Sequence, residues 1–525
     1  MDETKYPIGI QAFTEIRENG YLYVDKTMYV HSLVSKGKYY FLSRPRRFGK
    51  SLLLSTVEAF FRGRRDLFDG LAIANENHDW ETHPVLHLDL NVRLYENRES
   101  LLSILDRHLQ VWEKEYRVAY IATLPEDRFI NVIISAHEMT GKQVVILVDE
   151  YDKPIVSSLH NEDLMREYRE QLASFYGVLK SLDTHIKFAM LTGVSRFSKV
   201  SVFSGINNLN DISLEPDYNA VCGVTETELD RYFQLGLDRM AKANMETPEE
   251  IHREMKENYD GYHFAWGGED VYNPFSLLNT FQNRRFSHYW FKTGTPTFLV
   301  KLLERSRFPI PELDGYRCSE DLLAGSDVYL KDPVPLLFQT GYLTIKGYDK
   351  RFRQYTLGFP NREVSEGFNR FLMNSYMKGL DRSNMIIDFV KDVESGDADA
   401  FMRRLQSFTA DIPYDLIRDG RDKGDSRRYE AHYQDVMYVA FKLMGFYTHT
   451  EYKTSDGRID MVVETPDFVY VMEFKTGSSA EEALRQIDEK QYTLPFRSSG
   501  KQIIKIGATF STATRRLDGW IAVTE

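Results

Sequence analysis

Residues 39–51 read YYFLSRPRRFGKS. The first part, 39–43, is a short apolar run of strand length, and residues 50–62 carry a helical pattern. A strand that delivers a tight loop into a helix N-terminus is the setting of a phosphate-binding loop. There the loop N–H groups and the unpaired N–H groups of the first helical turn point at an anion. Gly49, Lys50 and Ser51 supply the residue types this chemistry needs. Glycine lets the backbone approach, the ammonium reaches the terminal phosphates, and the hydroxyl ligates magnesium. Arg46, Arg47 and Phe48 complete the expected nucleotide-binding loop. The usual pattern has a glycine where this chain has Arg44, so the tripeptide alone is a weak signal.

Working outward, residues 84–90, 143–148 and 186–192 are further strand-length apolar runs, separated by helical stretches that include 161–182. Strands alternating with helices predict a parallel sheet with crossover helices. Open sheets of this kind bind ligands at the carboxyl ends of their strands. The run 143–148 ends in Asp149-Glu150. Asp149 is placed to hold magnesium and Glu150 to polarise an attacking water as general base. The run 186–192 ends in Thr192, placed as a polar sensor of the terminal phosphate. Arg196 follows, able to neutralise charge on the transferred phosphoryl group. Taken separately, the arginines read equally well as a solvated basic turn, and Asp149-Glu150 as a helix N-cap.

The chain has 525 residues, too many for one core. Four segments are expected: a P-loop domain over 1–215, a mainly helical lid or middle domain over 216–360, a helical connector over 361–425, and a compact α/β domain over 426–525. Residues 415–428 (DLIRDGRDKGDSRR) are the best linker candidate. The 2 cysteines form neither a disulfide framework nor a zinc cluster. The start of the chain has no basic-then-apolar leader, and no apolar run could span a bilayer, so a cytoplasmic protein with no membrane partner is expected. Net charge is −12, yet residues 426–525 carry 13 Lys and Arg against 14 Asp and Glu. Any nucleic-acid contact must therefore be local, and the C-terminal end permits it.

That end contains the second candidate site. Asp460 leads into a strand, a turn follows at 464–467, and the next strand carries Glu473-Phe474-Lys475. Side chains alternate along a strand, so Glu473 and Lys475 share a face while Phe474 turns inward. A hairpin would bring Asp460 to Glu473. Two carboxylates could hold one or two magnesium ions, and Lys475 could orient the attacking water. Glu-x-Lys by itself is more often an exposed cross-strand ion pair.

Seven stretches carry a family resemblance: Tyr23-Val24-Asp25-Lys26-Thr27, Arg44 to Ser51, Val148 to Asp152, Thr192 to Phe197, Tyr272 to Ser276, Tyr289 to Gly294 and Gln339 to Leu343. On these, residues 7–360 resemble the bacterial AAA-ATPase-like family of P-loop proteins, in which Arg-Pro-Arg-Arg-Phe is the normal loop. Residues 426–520 resemble the PD-(D/E)XK nuclease superfamily. That resemblance implies a further metal-ligating carboxylate at Glu430 and an accessory polar residue at Gln486. Together the resemblances imply an α/β chain: a P-loop NTPase parallel-sheet domain, a mainly helical middle domain and a restriction-endonuclease-like domain. They further imply ATP and magnesium as cofactors, ATP hydrolysis, and a magnesium-dependent nuclease acting on nucleic acid, DNA first. By analogy, such a pairing suits defence or mobile-element biology. The alternative is a nucleotide-controlled switch that binds nucleic acid or protein without cutting. An oligomeric ring would need Arg196 or another arginine to serve a neighbour's nucleotide.

Overall fold

The continuous apolar runs become strands buried on both faces. In the computed structural model they are β1 (Tyr39–Ser43), β2 (Val85–Asp89), β3 (Val144–Asp149) and β4 (Ile186–Gly193), joined by the short β5 (Asn210–Asp211). Their order across the sheet is β2-β3-β4-β1-β5, and every pairing is parallel. The structure describes residues 4–91, 94–159, 161–196, 208–293, 303, 308, 310–324, 332–376, 383–410, 447–454, 457–511 and 517–525. The linker candidate and Glu430 lie outside these residues.

The described chain forms two units. One comprises Met1–Ser306 with Gly315–Val364, the other Arg307–Asp314 with Ser365–Glu525. In the first, helices α1 (Phe13–Glu18), α2 (Thr27–Lys36), α3 (Lys50–Phe61), α4 (Arg98–Glu115), α5 (Pro125–Thr140), α6 (Lys153–Ser157) and α7 (Glu162–Ser181) accompany the sheet. Helices α4, α5 and α7 pack one side of it through Leu105, Trp112, Phe129 and Phe175, the last two rings stacked at 4.5 Å. The Tyr23–Thr27 stretch is structural. Asp25 accepts from the Thr27 N–H and hydroxyl and, through its other oxygen, from the Ala72 N–H.

Residues 216–360 belong largely to this same unit. Residues 225–257, which read from the sequence as helical and amphipathic, form two helices, Glu226–Asn244 and Pro248–Tyr259. The break comes at Thr247, whose side chain caps the second helix in a reciprocal box with Glu250. A small antiparallel sheet of β8 (Tyr316–Ser319), β9 (Thr344–Asp349) and β10 (Gln354–Gly358), and the β6 (Val224–Thr225)–β7 (Val271–Tyr272) hairpin, stand among the helices. Sequence reading marks neither, because these strands are too short and mixed to show a period.

The second unit centres on a sheet ordered β11 (Tyr447–Thr454), β12 (Gly457–Glu464), β13 (Phe468–Thr476), β14 (Gln502–Phe510) and β15 (Leu517–Thr524). Only the β13–β14 pairing is parallel. Its core gathers Ile459, Val462, Val471, Ile487 and Phe496, with Ile487 contributed by the helix Ala480–Glu489. The β12–β13 hairpin turns over Thr465, whose hydroxyl accepts from the Asp467 and Phe468 N–H groups.

Candidate functional site

Residues 44–48 leave β1 and are held, one after another, by residues far downstream. Arg44 is 1% exposed. Its guanidinium donates to the carbonyls of Ser43, Ser213, Tyr218 and Asn219 and lies 4.3 Å from the centre of the Phe264 ring. It is thus a structural clamp at the position where the usual loop has glycine. Pro45 packs on Gly341, where a Cβ would fall 2.7 Å from the proline ring. The Arg46 carbonyl accepts from the Trp290 indole at 2.9 Å, and its side chain bonds Tyr342. Arg47 stacks over Phe275 at 5.2 Å. Phe48 sits edge-on to Tyr262 and Phe264. Several of the sequence motifs therefore converge on one loop.

The backbone turns sharply here. Arg47 and Gly49 both have positive φ, 67° and 99°, and Gly49 is the N-cap of α3. The turn brings Lys50 back under the loop. Its ammonium, 3% exposed, donates to the Arg44 and Pro45 carbonyls at 3.1 and 3.2 Å and lies 3.3 Å from Glu150. Glu150 follows β3 with φ 55°, a conformation that non-glycine residues adopt only under surrounding constraint. Beside it, Asp149 accepts from the Thr192 hydroxyl at 2.7 Å. Asp152 accepts from the Val194 and Ser195 N–H groups and the Ser195 hydroxyl. Burial, and then the charge of Glu150, push the Asp152 carboxyl up to about 6. Between these carboxylates Gly193 is compulsory, since a Cβ would lie 2.5 Å from Asp152 Oδ1 and from the Tyr151 ring. Gly193→Ala should therefore destabilise this unit by about 1–3 kcal/mol, the range for overpacking a filled core. Urea denaturation checks it.

Above the loop is a cavity of about 330 Å³. Arg46, Arg47, Gly49, Lys50, Ser51, Asp149 and Glu150 line it, as does Lys153. Three other candidates lie off it. Thr192 is fully buried and orients Asp149. The Arg196 guanidinium is paired with Asp211, and the Arg196 backbone N–H donates to the Gln339 side-chain oxygen. Phe48 faces an apolar recess instead. Sequence reading misses Asp89 and Asn91 at the end of β2, which also line the cavity. The rule that put Asp149 at a strand's carboxyl end would have found Asp89. Pro7 to Gln11 line it too, and no local pattern announces them.

Behind the loop, Glu363 accepts from the Ser276 hydroxyl at 2.6 Å and the Trp290 N–H at 2.7 Å. Burial pushes its carboxyl up to about 7 from the ordinary 4.5. The folded chain then holds this proton more tightly than the unfolded chain. Stability from this group is full below about 4.5, declines as pH rises through about 7, and is fully lost above that. The loss is on the order of 3 kcal/mol. Glu363→Gln cannot ionise. Its stability relative to the parent should rise by that amount between these pH values, as measured by urea denaturation at a series of pH.

In the second unit, the β12–β13 register pairs Met461 with Met472, so Asp460 faces Glu473 one step further on. An Asp460 oxygen accepts from the Phe474 N–H at 2.8 Å, and Phe474 is buried as its alternation requires. Glu473 is 2% exposed, and its Oε1 accepts from both Lys475 and Gln486. The structure thus brings Asp460, Glu473, Lys475 and Gln486 together. Among the described residues no group of three His, Cys, Asp or Glu forms a metal cage. Two carboxylates with a lysine nonetheless fit a hard, oxygen-liganded cation such as magnesium, which commonly takes one or two carboxylates and keeps its waters. In the first unit Ser51 and Asp149 offer donors of the same kind.

Residues 7–203 match the family model described as "Predicted AAA-ATPase", and residues 428–520 match that of the PD-(D/E)XK nuclease superfamily. A protein of Azotobacter chroococcum mcd 1, described as "Uncharacterized protein in vnfD 5'region", is 39% identical over 534 residues, covering 99% of each chain. Among solved structures, the ORC2 protein of Aeropyrum pernix (ADPNP-ADP complexes) aligns with 77% of this chain and 97% of its own. Its identity is 11% and its TM-score 0.25, too low to carry an argument. No described helix is long and apolar enough to cross a membrane.

Proposed function

Because the chain belongs to the predicted AAA-ATPase family and carries a C-terminal PD-(D/E)XK superfamily domain, we propose that it is an ATP-binding and ATP-hydrolysing protein that commands a magnesium-dependent nuclease acting on DNA. The observation that carries the first half is the cavity in which Lys50, Ser51, Asp149 and Glu150 meet over the helix N-terminus. Lys50 exchanges its bonds to loop carbonyls and Glu150 for phosphate oxygens. Ser51 and Asp149 hold magnesium, which when bound neutralises charge on those oxygens. Glu150, relieved of Lys50, is free to take a proton from the attacking water. Thr192 keeps Asp149 in place throughout, and Arg196 acts at a distance by fixing the end of β4 against Asp211 and Gln339.

For the second half, Asp460 and Glu473 are the metal-holding pair and Lys475 is the water-orienting cation. Glu430 completes that set by resemblance. The test is to incubate the purified full chain with magnesium, ATP and linear or circular DNA, and to follow phosphate release and strand breaks together. Phosphate release without strand breaks in any DNA or RNA removes the nuclease half. A specific observation favours the second reading, a switch that binds without cutting: Lys475 and Gln486 both spend donors on one oxygen of Glu473. In that case nucleic acid is retained uncut, and its affinity differs between ADP and a non-hydrolysable ATP analogue. A role in defence or mobile-element biology is consistent with either reading.

A further inference from the structure

Arg46 and Arg47 are exposed on the phosphate loop and line its cavity. Neither is placed by the loop alone. The Arg46 carbonyl accepts from the Trp290 indole at 2.9 Å. The Arg46 side chain bonds Tyr342, whose ring lies 5.3 Å from that of Trp290. Arg47 lies over Phe275, the neighbour of Ser276. Both supports end on one carboxylate. Glu363 Oε1 accepts from the Trp290 backbone N–H at 2.7 Å, and Oε2 accepts from the Ser276 hydroxyl at 2.6 Å. The Trp290 N–H also donates to the Ser276 hydroxyl oxygen at 3.1 Å, which closes a triangle of bonds. Glu363, Ser276 and Trp290 are all buried.

Glu363 is itself held firmly. It is the second residue of the helix Arg362–Tyr376. The Asn361 side chain accepts from the Val364 N–H and donates to the Asp260 carbonyl, which fixes the start of that helix. Gly261 meets the Pro360 carbonyl so closely that a Cβ has no room. Resting on nucleotide binding at the loop, we propose that Glu363 is a positioning residue for the bound phosphates: through Trp290 and Ser276 it sets how Arg46 and Arg47 enter the cavity. An apolar side chain could fill the same space without taking a charge out of water. It could not accept from both donors, and each would be left as a buried polar group without that partner. A binding group is effective only when its own supports are locked, to within roughly half an ångström. Two loop arginines on flexible stems gain that order from Trp290 and Phe275.

The experiment titrates ATP and inorganic tripolyphosphate, each with magnesium, into the full chain and its variants. Trp290→Phe keeps the ring and the backbone N–H and removes the indole donor to Arg46. It should weaken ATP and tripolyphosphate alike by about tenfold, the scale of one lost hydrogen bond. Glu363→Ala should lose at least as much. Adding Trp290→Phe to it should then cost less than about twofold more, because the two residues act on the loop as one unit. Glu363→Gln still offers an acceptor to Trp290 and should bind within about twofold of the parent, which a general need for the charge would not allow. Trp290→Phe and Glu363→Gln decide the matter if Glu363→Ala does not fold. Parent-like affinity in Trp290→Phe overturns the proposal, as does a double variant in which the two losses simply multiply, or a tenfold loss in Glu363→Gln. If the parent binds neither ligand, nucleotide binding at the loop is what fails, and the two failures are told apart.

Discussion

Replacing Lys50 with alanine lowers ATP affinity by roughly two orders of magnitude, on the scale of one or two charge-assisted hydrogen bonds of about 1.5–3 kcal/mol each. The geometry makes this the largest single loss in the first unit. Lys50 is buried under the loop, within reach of two carbonyls and Glu150, and lines the cavity, so it can pass directly from these to a phosphate. The variant also leaves Glu150 without its partner beside the developing negative charge of a triphosphate. Phosphate release should fall with affinity and stay low even at saturating ATP, because an interaction made in the transition state has gone. Calorimetric titration and steady-state turnover check the two parts. Lys50→Arg should not rescue, since a planar guanidinium cannot occupy the space of a compact ammonium under the loop.

Glu473→Gln should abolish the proposed magnesium-dependent strand cleavage, with a loss of about a thousandfold or more. The substitution preserves shape, and its amide oxygen can still accept from Lys475 and Gln486. The fold should therefore survive, and thermal unfolding should stay within a few degrees of the parent. ATP hydrolysis should be unchanged in a direct assay without DNA, because the substitution lies in the other unit. Cleavage that persists in Glu473→Gln assigns the activity elsewhere. Loss of cleavage together with a collapsed melting transition is separated from catalysis by Lys475→Met, which removes the cation and leaves the buried carboxylate.

How much was legible in the sequence depended on the range of the interaction. The parallel sheet was readable because strands covered on both faces, such as β3, must be apolar at every position. The pairing of Glu473 with Lys475 was readable because alternation along a strand is local. Arg44 was not. It departs from a glycine pattern in sequence, and only its bonds to carbonyls at 213, 218 and 219 explain why a long cation belongs there. Arg196 follows the same logic in reverse. Its place after a strand suggested a phosphate contact, while the fold commits it to Asp211 and Gln339. Glu363 carries no motif at all, because a buried carboxylate is defined by what surrounds it. The break at Thr247 was available locally, but the helical period on either side masked it.

The loop from Arg44 to Phe48 leaves the ribosome long before its anchors at Phe264, Phe275, Trp290 and Gly341. Until those residues are made, the side chains that shape the loop have nothing to rest on. The strands that frame it can already pair, yet the phosphate seat stays unformed. Nucleotide can thus stabilise the chain only after synthesis has passed residue 342. If the loop seats ATP as proposed, a chain shorter than that would gain no stability from it, and binding would report that translation had reached the far side of the first unit.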